Sequence, residues 1–217
     1  MKMKIFWLYI KKYYNTRLRS YYTDANFLTL SIIGFIFLKI SFFVTEPFSW
    51  LATLHASNTV TDSVTDYIPY IDTSFIHITV SNLVYYFRLA IPFIFPELLP
   101  FSLFTTGVLI CLRDITINLT HIGPPAMYTT FSSSVMTGGD LFFSGHVANV
   151  FLFGLIFYKH KILRNMFFVL SFVFAISAVV GRYHYSIDVV AAPFFAYGVF
   201  SFMKKILPVE YSMRKKK

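Results

Sequence analysis

Six apolar runs, each about the length that crosses a hydrocarbon core, bound what this chain can fold into. They fall at about 27–44, 76–95, 99–118, 141–158, 165–181 and 187–203. An open strand in lipid leaves backbone N–H and C=O groups without partners, so each run is predicted helical. The fold class follows as all-α, an integral membrane six-helix bundle. With 56% hydrophobic and only 13% charged residues, the composition does not suit a water-soluble domain. The membrane domain is expected over 27–205, between a basic N-terminal segment (1–26) and a basic tail (206–217). Met1 to Asn26 has six basic residues but no short apolar core with a cleavage site. It reads as the flank of an uncleaved first helix rather than a signal peptide.

Charge orients the bundle. Of the 19 Lys and Arg, 15 lie in residues 1–26, in 159–164 and from Lys204 onward, which are alternate ends of the six-helix count. The segment 45–75 has no Lys or Arg and four acids, and 119–139 has neither. This bias predicts both termini in the cytoplasm. The net charge of +9 is spread in short clusters beside apolar runs, so no nucleic-acid partner is expected. Cys111, the single cysteine, lies inside an apolar run and supports neither a disulfide framework nor a Cys-rich metal site. Nothing in the sequence sets an oligomeric state.

Chemistry concentrates in two stretches. Gly138-Gly139-Asp140-Leu141-Phe142-Phe143-Ser144-Gly145-His146 opens the fourth run, and His184-Tyr185-Ser186-Ile187-Asp188 opens the sixth. The topology brings both to one membrane depth on the outer side, where ionisable groups are costly and usually functional. His184 and Asp188 are four apart, which on a helix would stack them on one face and let the carboxylate orient the imidazole. The Ser-, Thr- and Gly-rich stretch from Phe131 to Gly139 feeds a helix N-terminus suited to phosphate, and Gly138, Gly139 and Gly145 would admit a ligand closely. Arg113, in the outer half of the third run, is a candidate phosphate clamp. Arg182 could add to the cation supply or serve as an interfacial anchor. Asp114 reads as a neutralising partner, and Asp72 as a helix-start acid. Pro47-Phe48-Ser49-Trp50-Leu51 could lie along the outer interface.

These residues carry a resemblance. Gly-Gly-Asp-x-x-x-Ser-Gly-His (138–146) with His-Tyr-Ser-x-Asp-Val (184–189) resembles the third and fourth motifs of the sphingomyelin synthase family, a branch of the type 2 phosphatidic acid phosphatase superfamily. Arg113-x-Ile-Thr116 is similar to its arginine-bearing second motif, and Pro69-x-x-Asp72 keeps part of the first. The resemblance covers about residues 65–198. It implies a six-helix fold with cytoplasmic termini, in which His184 attacks phosphorus, Asp188 orients it, and His146 protonates the leaving group and then activates the acceptor. Arg113, Gly139, Asp140, Ser144 and Gly145 would bind the substrate. The phosphatase branch has a Lys-x6-Arg-Pro motif, absent here, and an arginine six residues before its second histidine, where this chain has Ala178. The long outer loop and extra domains of animal synthases are also missing. The chain looks most like the small bacterial members.

The sequence therefore predicts transfer of a phospho-head group from a glycerophospholipid to a lipid alcohol, with no metal and no cofactor. Hydrolysis by a lipid phosphate phosphatase is the alternative. An iron or zinc site built on two histidines and a carboxylate, and a non-enzymatic lipid carrier, are weaker readings. The expected location is a bacterial inner membrane, or a eukaryotic endomembrane, with the site facing periplasm or lumen.

Overall fold

A computed structural model describes residues 7–8, 11–126 and 138–210. Part of the Phe131 to Gly139 stretch and of the two basic termini lies outside the described residues. Within them the protein is helical, with no strand. A short helical lead-in through Tyr22 precedes six helices: α1 (Ala25–Leu54), α2 (Ser74–Ile94), α3 (Leu99–Leu119), α4 (Gly145–Ile156), α5 (Lys161–Val180) and α6 (Ser186–Ile206). By length and composition α1, α5, α6 and the segment Pro96–Leu119 containing α3 can cross a membrane. Ser74–Ile94 has the length, but its apolarity is diluted by His77, Asn82 and Arg88. Gly145–Ile156 has 12 residues, about 18 Å at the α-helical rise, well short of a hydrocarbon core of about 30 Å.

Hydrogen bonds across the bundle show that successive helices reverse direction. At one end, the Gly139 N–H meets Thr53 Oγ1 of α1, Ile71 N–H donates to Val180 O of α5, and Ser144 N–H donates to Asp188 O of α6. At the other end, Tyr22 Oη donates to Pro92 O and Lys159 Nζ pairs with Glu210. The first of these is the site end.

The core is aliphatic and aromatic, with Phe153, Phe157, Phe167 and Phe174 fully buried among α4 and α5. Helices α1 and α3 approach closely because Gly107 offers no Cβ; one placed there would lie 2.6 Å from the Phe37 ring. Large apolar side chains such as Phe43, Phe172 and Phe194 remain exposed along the outside, as a lipid-facing surface requires.

The structure corrects the first helix. The stretch Pro47 to Leu51 is not part of the connection after the first helix: α1 continues through Pro47 to Leu54. Thr45-Glu46-Pro47 reads locally as a helix end, but packing on α3 overrides it. Thr45 Oγ1 donates to Asp114 Oδ2, Asn118 Nδ2 donates to Phe48 O, and Ser49 and Ala52 are buried. Asp114 thus accepts from α1 and does not neutralise Arg113, which pairs with Asp140 instead.

Candidate active site

The two motif stretches are built into one another. Ser144, the residue before α4, donates its backbone N–H to the carbonyl of Asp188 in the first turn of α6 at 3.1 Å. Gly145, His146 and Val147 then start α4 with no side chain capping them, so their N–H groups form an uncapped helix N-terminus. His146 is exposed, while His184 and Asp188 are buried.

His184 and Asp188 do not share a helix as their spacing suggested. α6 begins at Ser186, and His184 lies in the preceding turn, where its N–H and that of Tyr183 reach Ala178 O at the end of α5. The pair still forms, with Nδ1 of His184 at 3.4 Å from Asp188 Oδ2. The same oxygen accepts the Tyr185 N–H at 3.0 Å, half of a capping box that fixes the carboxylate. A carboxylate can only accept here, so Nδ1 carries the proton and the Nε2 lone pair of His184 is nucleophilic. Two buried polar atoms at this junction, Ser144 Oγ and Asp188 Oδ1, have no hydrogen-bond partner among the described residues. Both atoms lie where the two motif stretches meet, so they are available to a ligand at this junction.

Arg113 is committed differently from a free phosphate clamp. Its Nε donates to Phe143 O at 3.1 Å and its Nη2 to Asp140 O, while the Asp140 carboxylate lies 3.5 Å away. Burial pushes the Asp140 carboxyl up, and Arg113 and then His184 oppose that. Arg113 thus holds the segment leading into α4, and Asp140 is its counter-ion. Gly145 allows this: a Cβ there would lie 2.7 Å from Arg113 Cδ. Gly139 admits a backbone rather than a ligand, since its Cβ would fall 2.4 Å from Ala52 O. Gly138 meets only ordinary contacts with Pro124. Arg182, at φ 58°, donates to Ile68 O and so braces the turn before His184. Asp72 is exposed and accepts the Ser74 N–H, as a helix-start acid does.

Three residues that the sequence did not single out complete the site. His77, one turn into α2, is buried, with its ring centroid 6.1 Å from that of His146. The signal was available: like His146 and His184, His77 is an ionisable group at the start of an apolar run. Tyr185 reaches out of its motif, its hydroxyl donating to Gly123 O and accepting the Val60 N–H. Asp62 crosses from the α1–α2 connection to accept the Ser186 N–H at 2.7 Å, capping α6. Among the described residues, no group of three or more His, Cys, Asp or Glu side chains is arranged to hold a metal ion.

Asp62 carries a pH prediction. Burial disfavours its charge, but N–H donors from Thr65, Val64 and Ser186 outweigh that and hold its carboxyl below the usual range. A lowered folded value means that the stabilisation is complete above the ordinary aspartate value of about 4 and is lost as pH falls through the folded value. Asp62→Ala should therefore cost about 2 kcal/mol at neutral pH, and the difference should vanish in acid. Thermal unfolding in detergent across pH checks it; a pH-independent difference would refute the assignment.

Residues 137–206 match the family model for the PAP2 superfamily C-terminal domain. The match spans about a third of the chain and contains both motif stretches, α4, α5 and α6. It supports the PAP2 superfamily, whose members are generally phosphatases or phosphotransferases. No curated protein matches this chain. Together with its long apolar helices, the PAP2 match is consistent with an integral membrane protein of lipid phosphatase or phosphotransferase type.

Proposed function

We propose that this protein is a membrane lipid phosphotransferase of sphingomyelin synthase-like type. It moves a phospho-head group from a glycerophospholipid to a lipid alcohol, at an outer membrane face, periplasmic or lumenal, with both termini cytoplasmic. The observation that carries the reading is the junction of the two motifs. A Ser144 to Asp188 backbone bond brings the His146 helix start against His184, whose Nδ1–H is held by a fully buried carboxylate.

In this reading Nε2 of His184 attacks phosphorus, the bond to the glyceride oxygen breaks, and His146 gives that oxygen its proton. The glyceride leaves. His146 then takes the proton of an acceptor hydroxyl, the oxygen attacks phosphorus, and the P–N bond breaks to restore His184. The uncapped N–H groups of α4 suit the non-bridging oxygens.

The charge balance favours a diester. Arg113 and Arg182 both donate to backbone carbonyls, and Ala178, where the phosphatase branch has an arginine, is fully buried. So thin a cation supply suits one negative charge better than the two of a phosphomonoester. A groove of about 500 Å³ between α3 and α6, lined by Val108, Leu112, Phe195 and Phe202, supports a lipidic substrate. One of its lining residues, Phe195, stacks on Phe143 of the first motif stretch at 4.2 Å. Water in place of the alcohol would release the phospho-head group from a diester donor, and free phosphate, as in phosphatase action, from a phosphatidic acid donor; hydrolysis of the latter kind is also consistent with the PAP2 match.

The test is purified protein in mixed micelles, offered phosphatidylcholine, phosphatidylethanolamine and phosphatidic acid with ceramide and diglyceride acceptors. A new phosphodiester lipid, formed by wild type and not by His184→Ala, is the expected product. Free phosphate from phosphatidic acid alone would replace transfer with hydrolysis.

A further inference from the structure

His77 comes from an element outside the two motif stretches, yet it is held as tightly as they are. Thr73, before α2, donates its hydroxyl to Ser177 O near the end of α5 at 2.7 Å. This sets the start of α2 against α5, and one turn later Nδ1 of His77 lies 3.1 Å from Ser177 Oγ. Ser177 has one hydroxyl proton, and its bond to Phe174 O at 2.9 Å uses it. The Ser177 oxygen must therefore accept from His77, which places the proton on Nδ1 and the lone pair on Nε2. The rings of His77 and His146 both lie against Phe174, at 4.2 and 5.7 Å, which fixes their relative placement. At 6.1 Å between centroids the ring nitrogens are too far apart for a direct hydrogen bond, but one bridging water spans the two rings.

This geometry bears on a difficulty in the reaction proposed above. His146 must hold a proton until the glyceride oxygen leaves, although it stands at the start of an apolar helix. Arg113 and His184 also act on it from α3 and from the turn before α6. Arg113 is neutralised by Asp140, and His184 is paired with Asp188. Tyr183 packs on the His77 ring at 4.4 Å and offers no negative charge unless ionised. None of these groups favours a protonated His146, and α2 presents an acceptor at water-bridging distance from it.

We infer that His77 is a third histidine of this centre, a positioning residue whose Nε2 accepts, through one bridging water, from protonated His146 and so keeps on His146 the proton that the leaving oxygen takes. Its own Nδ1–H goes on donating to Ser177 Oγ throughout, so only the His146 proton moves. The inference rests on the proposed reaction for its purpose, but the pairing of the two rings can be tested without turnover.

Two measurements separate the ideas. In protein labelled at histidine nitrogen, the His146 imidazole, assigned by its loss in His146→Gln, is titrated in wild type and in His77→Asn, which keeps a donor for Ser177 but lacks Nε2. The His146 midpoint should fall by about one pH unit, because a hydrogen bond to the charged form raises a pKa. An unchanged midpoint would overturn the inference. So would a raised one, the result for a His77 that acts only as a like charge. Should His77→Asn fail to fold, His77→Ala, which also lacks an acceptor at the Nε2 position, serves in its place. In a turnover assay, the alkaline limb of kcat/KM for the donor should move down by the same amount. A uniform loss at every pH would instead assign His77 a purely structural role. Failure of wild type to turn over any lipid would sink the proposed function while leaving the titration result intact.

Discussion

His184→Ala protein should fold, bind lipid and show no turnover, with a loss of at least about 10⁴-fold in head-group release. The reason is position as much as identity. His184 sits in a turn fixed at both sides, by its N–H on Ala178 O and by Asp188 on its ring, so no other group can reach the same point. His146→Ala should instead slow both formation and discharge of the intermediate by roughly 10²–10⁴-fold, since each step needs a proton transfer. Single-turnover measurements with labelled donor distinguish the two. Full activity in His184→Ala would end the phosphohistidine account.

Asp188→Asn should cost roughly 10²–10⁴-fold in the same assay while leaving the fold largely intact. The amide still offers an oxygen to the Tyr185 N–H, so the start of α6 survives. It removes the charge that stabilises an imidazolium at His184 and no longer dictates the tautomer. Asp188→Ala goes further: it removes the cap from a fully buried position and should lower stability by about 1–3 kcal/mol in addition. A rate near wild type in Asp188→Asn, with His184→Ala inactive, would mean that the His184–Asp188 contact is structural only.

The residues of the candidate site were more legible in the sequence than their scaffolding, for a physical reason. His146, His184 and Asp188 stand out because charge in an apolar run is expensive. That argument needs no knowledge of contacts. The roles of Arg113, Gly139 and Gly145 do need it. Arg113 reads as a free cation until Phe143 O and Asp140 are seen to occupy it, and Gly139 reads as room for a ligand until the α1 backbone fills that room. Asp62 sits in a stretch with no periodicity, and only the fold reveals that it caps a helix 124 residues away. The extension of α1 through Pro47 was hidden because local chemistry signals an end there, whereas Asp114 and Asn118 on α3 sustain the helix. His77 was legible in principle, but a lone histidine has no motif partner in sequence; its partners, Ser177 and His146, are 100 and 69 residues away.

The central claim is that a phosphoryl group passes through His184, and trapping it is the most direct test. Wild-type protein is mixed with a glycerophospholipid labelled at phosphorus, without acceptor, quenched in alkali and digested. The account predicts label on the peptide containing His184, stable in alkali, lost in acid, and discharged when a lipid alcohol is added before the quench. Label on a His146 peptide instead, or continued turnover with no labelled histidine at all, would contradict it.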